Sequence, residues 1–129
     1  MNSFLKPEDA EFASVIISER YIHKETGAVI IKLNGMKLNF SEADYLKNVL
    51  EKELAHNNHN IILDCKAIDM IFSVQIGIIW SHCRKFRDLG GDLILANLQS
   101  AISAVLERFG LSKVINVGKS VEDSLQFFK

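Results

Sequence analysis

The sequence predicts an α/β domain with a mixed sheet of mostly parallel strands. Apolar runs rich in valine and isoleucine alternate along the chain with segments whose apolar residues recur every three or four positions. Strands that alternate with helices in this way favour a parallel sheet with helices packed on it. We expect about five strands and four helices in the order ββαβαβαβα, within a single domain.

The first two strands are predicted in residues 12–21 and 28–33, with Gly27 in the turn of a hairpin. A helix is expected to begin at Ser41. Its apolar stripe has spacings of three and four and consists of Ala43, Leu46, Val49, Leu50 and Leu54.

Residues 60–65 form a continuous apolar run, typical of a strand that is buried on both faces. The next helix is predicted to start at Ser73 and to end near Asp88. Its inward side chains should be Ile76, Ile79, Trp80, Cys83 and Phe86. Gly77 lowers the stability of this helix by about 1 kcal/mol relative to alanine. We therefore expect Gly77 to lie in close contact with the sheet or with a partner.

The remaining elements follow the turn at Gly90 and Gly91: a strand at 92–96, a helix, a strand at 113–117 and a final helix. The first of these helices should bury Phe109 and end at Gly110, since glycine is favoured just after a helix. Ser120 begins an S-x-x-D capping box for the last helix.

Composition excludes several classes of function. The net charge of −1 gives no electrostatic attraction to nucleic acid. No apolar run approaches the roughly 18 residues that a membrane span needs. The start of the chain lacks the apolar block of a secretory signal, and the two cysteines form no CxxC pair. We expect a cytoplasmic protein with a polar tail at 1–11 and one domain at 12–129.

Several short motifs occur in an order that resembles the STAS family, which is named after sulfate transporters and anti-sigma factor antagonists. The family has a strand that ends in Leu-Asp, a serine-containing loop before a helix, a Gly-Gly turn, and a Gly-Leu before the last strand. The corresponding residues here are Leu63-Asp64, Ser73, Ile76-Gly77, Gly90-Gly91, Leu106 and Gly110-Leu111. The resemblance extends over almost the whole chain.

The resemblance implies a bacterial anti-sigma factor antagonist that controls transcription by switching partners. Ser73 would be phosphorylated by a serine kinase that is also the anti-sigma factor, and a serine phosphatase would reverse the reaction. The antagonist needs no cofactor of its own, because the kinase supplies ATP and magnesium. The surface that binds the kinase would consist of Asn39, Phe72, Ser73, Val74, Gln75 and Ile78. The oligomeric state is left open.

The loop also departs from the family pattern. Phe72 replaces the usual aspartate, Val74 the second serine and Gln75 a glycine, while Asn39 aligns with another common aspartate. Two alternatives therefore stay open. Ser73 could be an ordinary N-cap, for which serine is favoured, in a structural subunit of a signalling scaffold or a lipid-transport complex. Phe72 could be buried in the loop, which we favour, or be an exposed contact for a partner.

Other polar residues give no enzyme signature. Asp64 is expected to hydrogen-bond N–H groups of the following loop rather than to form a catalytic pair with Asp69. His56 and His59 have no Cys or acidic neighbour with which to bind a metal. His82 and Cys83 are adjacent on a helix and so point in different directions, and we expect Cys65 and Cys83 to be small core residues. We predict a binding protein, not an enzyme.

Overall fold

The computed structural model describes residues 11–34 and 43–129. In this part of the chain the elements follow the predicted order ββαβαβαβα. The strands are β1 (Ile17–Ile22), β2 (Val29–Leu33), β3 (Asn60–Asp64), β4 (Asp92–Ala96) and β5 (Val117–Gly118). The helices are α1 (Ala43–Ala55), α2 (Ser73–Asp88), α3 (Ser100–Arg108) and α4 (Val121–Leu125), and a 3₁₀ turn, Gln126–Phe128, follows α4.

The five described strands form one sheet in which they lie in sequence order. β1 and β2 are an antiparallel hairpin, and β2 to β5 are parallel. The predicted α/β class and the mixed, mostly parallel sheet are therefore confirmed.

The two faces of the sheet carry separate cores. Ile61 and Leu63 of β3 pack into the larger core with α1, α2 and α3, whereas Ile62 packs into a smaller core with Leu125 of α4. Successive side chains of a strand point to opposite faces, so a strand covered on both sides is apolar throughout. α4 and the 3₁₀ turn are short. On the same face of the sheet as α4, β1 carries the polar side chain Tyr21 and β2 carries Lys32.

Two strands are shorter than predicted. β1 begins at Ile17, and β5 contains only Val117–Gly118. Residues 111–116 form turns instead of a strand, because the N–H groups of Val114 and Ile115 both bond to the carbonyl of Leu111. The prediction that Phe109 is buried was also wrong, since its side chain is 54% exposed.

Two glycines have the roles that their geometry requires. Gly110 follows α3 with φ +72°, and the N–H of Leu111 bonds to the carbonyl of Leu106, the bond expected beside a glycine after a helix. A Cβ atom at Gly91 would lie 2.0 Å from the carbonyl oxygen of His59, so no other residue fits there.

A polar cluster joins α1 to α2. The buried His82 places Nε2 2.5 Å from Oε2 of Glu51 and Nδ1 2.7 Å from the carbonyl oxygen of Ile78. Lys85 donates to the same Glu51 oxygen at 3.1 Å. Burial raises the pKa of Glu51, but the hydrogen bonds from His82 and Lys85 outweigh it and leave that pKa below its ordinary value. The cluster fixes α2 against α1 and leaves the start of α2 free for other contacts.

Candidate functional site

The start of α2 is the candidate site, and its first helical residue is Ser73, as predicted. The N-cap position, however, belongs to Phe72, whose backbone is extended with φ −103° and ψ 161°. The side chain of Phe72 makes no capping hydrogen bond. The interpretation of Ser73 as an ordinary N-cap was therefore wrong, because Ser73 lies one residue beyond the capping position.

Gln75 anchors the loop from inside the protein. Its Oε1 accepts the backbone N–H of Phe72 at 3.0 Å, which is the reciprocal half of a capping box. The side chain is fully buried. Gln75 therefore cannot contact a partner directly, and its place in the predicted partner-binding surface is corrected to that of a supporting residue.

Removing this anchor should destabilise the site. We expect Gln75→Ala to lower the free energy of unfolding by about 1–3 kcal/mol, because it leaves the Phe72 N–H without its acceptor and opens a cavity. Urea denaturation of the variant and of the wild type measures the difference; equal stability of the two would contradict the anchoring role.

The hydroxyl of Ser73 is available for chemistry. Ser73 is exposed, and within residues 11–34 and 43–129 its side chain makes no hydrogen bond. The N–H groups of Gln75 and Ile76 bond to the Phe72 carbonyl, while those of Ser73 and Val74 have no partner among the described residues. The first turn of α2 also contains no acidic residue. Free N–H groups at a helix start favour an anion, so a phosphate on Ser73 would be tolerated in the folded protein.

Exposed apolar side chains lie close to this serine in the sequence. Phe72 and Met70 are each 42% exposed, so the expectation that Phe72 is buried was wrong. Val74 and Ile78 are half-buried, and Ile78 packs against the larger core. Asn39, the remaining residue of the predicted surface, lies outside the described residues. Exposed aromatic and methionine side chains are common anchors in protein interfaces.

Gly77 lies one helical turn after Ser73 on the exposed side of α2. A Cβ atom placed on it would have no atom of the described residues within 4 Å outside the helix's own backbone. The expected close contact between Gly77 and the sheet was therefore wrong.

The open space around Gly77 predicts that Gly77→Ala stabilises the protein. Alanine loses less backbone entropy in a helix, so the substitution should raise the free energy of unfolding by about 0.5–1 kcal/mol. Urea denaturation provides the measurement. A destabilised variant would mean that the added methyl group clashes, contrary to the geometry.

The remaining polar candidates have structural roles. Asp64 is buried and accepts the N–H of Lys66 at 3.2 Å, which confirms the prediction for the residue that follows β3. Asp64 lines an open cavity, but Asp69 does not, so the two carboxylates do not form a pair there. Nδ1 of His56 is 2.8 Å from the carbonyl oxygen of Lys52. No group of three potential metal-binding side chains occurs in the part of the chain that the structure describes.

The two cysteines are core residues, as predicted. Both are free and buried, and burial raises the pKa of each thiol to about 12.

Trp80 lies next to the larger core and is half-buried, so it is less inward than predicted. The guanidinium of Arg87 lies 5.7 Å from the centre of its ring. None of the described helices is both long enough and apolar enough to cross a membrane.

The arrangement as a whole is that of an α/β domain with an exposed serine at the start of a helix and apolar side chains around it. The STAS domain model matches residues 20–124. The chain therefore belongs to the STAS domain family.

Individual relatives agree with this family. The protein BtrV of Bordetella bronchiseptica, provisionally named an anti-sigma factor antagonist, is 26% identical over 106 residues, which cover 82% of this chain and 90% of BtrV. A crystal structure from Thermotoga maritima, TM1081, also provisionally described as such an antagonist, superposes with a TM-score of 0.77 at 20% identity, over 85% of this chain and 92% of that one.

The antagonist SpoIIAA has the same fold. Its unphosphorylated form superposes with a TM-score of 0.64 at 14% identity, covering 84% of this chain and 94% of SpoIIAA. Its phosphorylated form, from Bacillus, gives a TM-score of 0.60 at 16% identity, over 81% and 93% of the two chains. At these identities the superpositions establish the fold alone.

Proposed function

We propose that this protein is an anti-sigma factor antagonist that switches partners through Ser73. In the unphosphorylated state it binds an anti-sigma factor that is also a serine kinase, and so frees a sigma factor for transcription. The kinase, supplied with ATP and magnesium, phosphorylates Ser73 and is released. A serine phosphatase restores the binding state. The protein acts by binding in the cytoplasm and performs no chemistry itself.

The observation that carries the proposal is the exposed hydroxyl of Ser73 at the start of α2, which makes no hydrogen bond to any described residue. Phe72 occupies the cap position and Gln75 accepts its N–H, so the serine is not the cap of this helix. An exposed hydroxyl without a bond to the described residues is well suited to modification. The names of BtrV and SpoIIAA, and the phosphorylated form of SpoIIAA, support the same role.

Release follows from electrostatics. A phosphate adds a charge of about −1.5 to −2 at neutral pH. Next to the exposed Phe72, that charge would lose its hydration as soon as a partner covered the start of α2. Desolvation of an unpaired charge is costly, so the complex dissociates while the antagonist stays folded.

A second candidate is a structural subunit of a signalling scaffold or a lipid-transport complex that never meets a kinase. Phe72, exposed where the family usually has an aspartate, favours this candidate, because an apolar residue there suits a permanent interface. The two candidates use the same surface and differ only in whether Ser73 is modified.

Capture from a lysate of the source cell separates them. Wild-type and Ser73→Asp proteins are used side by side as baits, and the bound proteins are identified by mass spectrometry. We expect a serine kinase on the wild type that is lost from the aspartate variant. The same partners on both baits would contradict the switch, and their identity would show which assembly contains this domain.

A further inference from the structure

An open cavity of about 400 Å³ lies on the opposite face of the sheet from α2. It is formed where β1, β2 and the end of β3 meet the start of α4, with the smaller core beneath it. Most of its lining is polar or charged. The lining residues are Glu19, Tyr21, Ile30, Lys32, Asp64, Lys66, Asn97, Ser120, Val121 and Glu122. The proposed partner switch uses none of these residues.

The feature that points to a ligand is the carboxylate of Asp64. Its side chain lines the cavity although the residue is only 9% exposed. Oδ1 receives two hydrogen bonds, from the N–H of Lys66 at 3.2 Å and from Nδ2 of Asn97 at 3.0 Å. Oδ2 receives none from the described residues. Buried carboxylate oxygens are nearly always paired, so this oxygen calls for a donor that the described residues do not supply.

The position of this carboxylate is fixed. Asn97 adopts φ +58°, a left-handed conformation that is uncommon for a residue other than glycine. Its N–H bonds to the Gly118 carbonyl at 3.3 Å, and its side-chain amide holds Asp64. The ends of β3, β4 and β5 therefore hold the acceptor oxygen in one place.

Negative charge dominates the tyrosine side of the cavity. Burial raises the pKa of the Tyr21 phenol, and the carboxylates of Glu19, Glu122 and Asp64 raise it further. The hydroxyl of Tyr21 has no hydrogen-bond partner among the described residues. A positively charged group that reached Asp64 would therefore be attracted by three carboxylates.

Two lysines supply the opposite charge. Lys32 and Lys66 line the cavity and form no ion pair with any residue in 11–34 or 43–129. The lining thus presents unpaired groups of both signs. A ligand with one charge would satisfy half of them, whereas a zwitterion would satisfy both.

We propose that this cavity binds a small amino acid, with its ammonium group on Oδ2 of Asp64 and its carboxylate on the side of Lys32 and Lys66. The ammonium group supplies the donor that Asp64 lacks, and its attraction to the carboxylates orients the molecule.

A matched set of four-carbon probes tests the charge requirement. 4-Aminobutyrate, butylamine and butyrate are titrated into ¹⁵N-labelled protein, and the amide shifts of the cavity residues are followed by NMR. We expect 4-aminobutyrate to bind more tightly than butylamine, and butyrate more weakly than both. Equal shifts of the cavity residues with butyrate and with 4-aminobutyrate would overturn the proposal. The absence of shifts with all three probes up to about 10 mM would also overturn it.

Variants identify the residues responsible. Asp64→Asn keeps the Oδ1 acceptor for Lys66 and Asn97 but replaces the unpaired oxygen with an NH₂ group, and it should weaken 4-aminobutyrate binding at least tenfold. Asp69→Asn, an exposed carboxylate of the same loop outside the cavity, should leave the affinity unchanged. Lys32→Met, on the exposed side of β2, should reduce the affinity for 4-aminobutyrate to that for butylamine. The proposal is overturned if Asp64→Asn and Lys32→Met both bind 4-aminobutyrate as tightly as the wild type does. Two variants are used so that the test still holds if one of them folds poorly.

Discussion

Replacing Ser73 by aspartate is expected to weaken binding to the kinase partner at least tenfold, or about 1.4 kcal/mol. The substitution puts a permanent negative charge next to the exposed Phe72, where a partner would have to desolvate it. Isothermal titration calorimetry with the captured kinase measures the effect. Ser73→Ala should bind as the wild type does, and its stability should change by less than about 0.5 kcal/mol, because Ser73 does not cap α2.

Ser100→Asp is the matched control for this experiment. Ser100 is also an exposed first helical residue, it begins α3, and its preceding residue Gln99 likewise makes no capping hydrogen bond. The added charge therefore has the same local setting at a different helix. Equal loss of affinity in Ser73→Asp and Ser100→Asp would mean a general effect of charge, and an unchanged affinity in Ser73→Asp would contradict the proposed switch.

Glu53→Ala is expected to have the largest effect on stability, a loss of about 3–5 kcal/mol. Arg20 of β1 and Glu53 of α1 form a two-bond ion pair at 2.8 and 2.9 Å, and their side chains are only 3% and 1% exposed. Asn58 donates to the same carboxylate at 2.9 Å. Alanine leaves the buried guanidinium without this carboxylate, and a loss of that size is a large part of the usual stability of a domain.

The exposed pair between Lys85 and Glu51 provides the control for that measurement. Its N–O distance is 3.1 Å, but the lysine side chain is 50% exposed. Lys85→Ala should therefore cost at most about 1 kcal/mol. Urea denaturation of both variants gives the comparison. Similar losses in the two would show that burial adds nothing to the Arg20–Glu53 pair.

The architecture could be predicted because its signals are local and repeated. The apolar run 61–63 within β3 and the three-and-four spacing in α1 each identify an element, and the alternation of elements identifies the class. A strand is predicted at 113–117 because valine and isoleucine favour strands, but of these residues only Val117 pairs with β4. Pairing depends on the neighbouring strand, which the local sequence does not contain.

The candidate site could be predicted only in part. Ser73 was found from the resemblance and from its place at the start of a helical pattern. Phe72 and Gln75 were assigned the wrong way round, because aromatic residues are usually buried and glutamine is usually exposed. The exposed Met70 gave no periodic signal in its loop.

If Ser73 is the switch, the captured kinase phosphorylates this residue and no other. Wild-type and Ser73→Ala proteins are incubated with that kinase, ATP and magnesium, and the modified peptide is located by mass spectrometry. We predict one phosphate on Ser73 of the wild type, none on the alanine variant, and release of the kinase as the phosphate is added. A phosphate elsewhere, or a complex that survives modification of Ser73, would contradict the account.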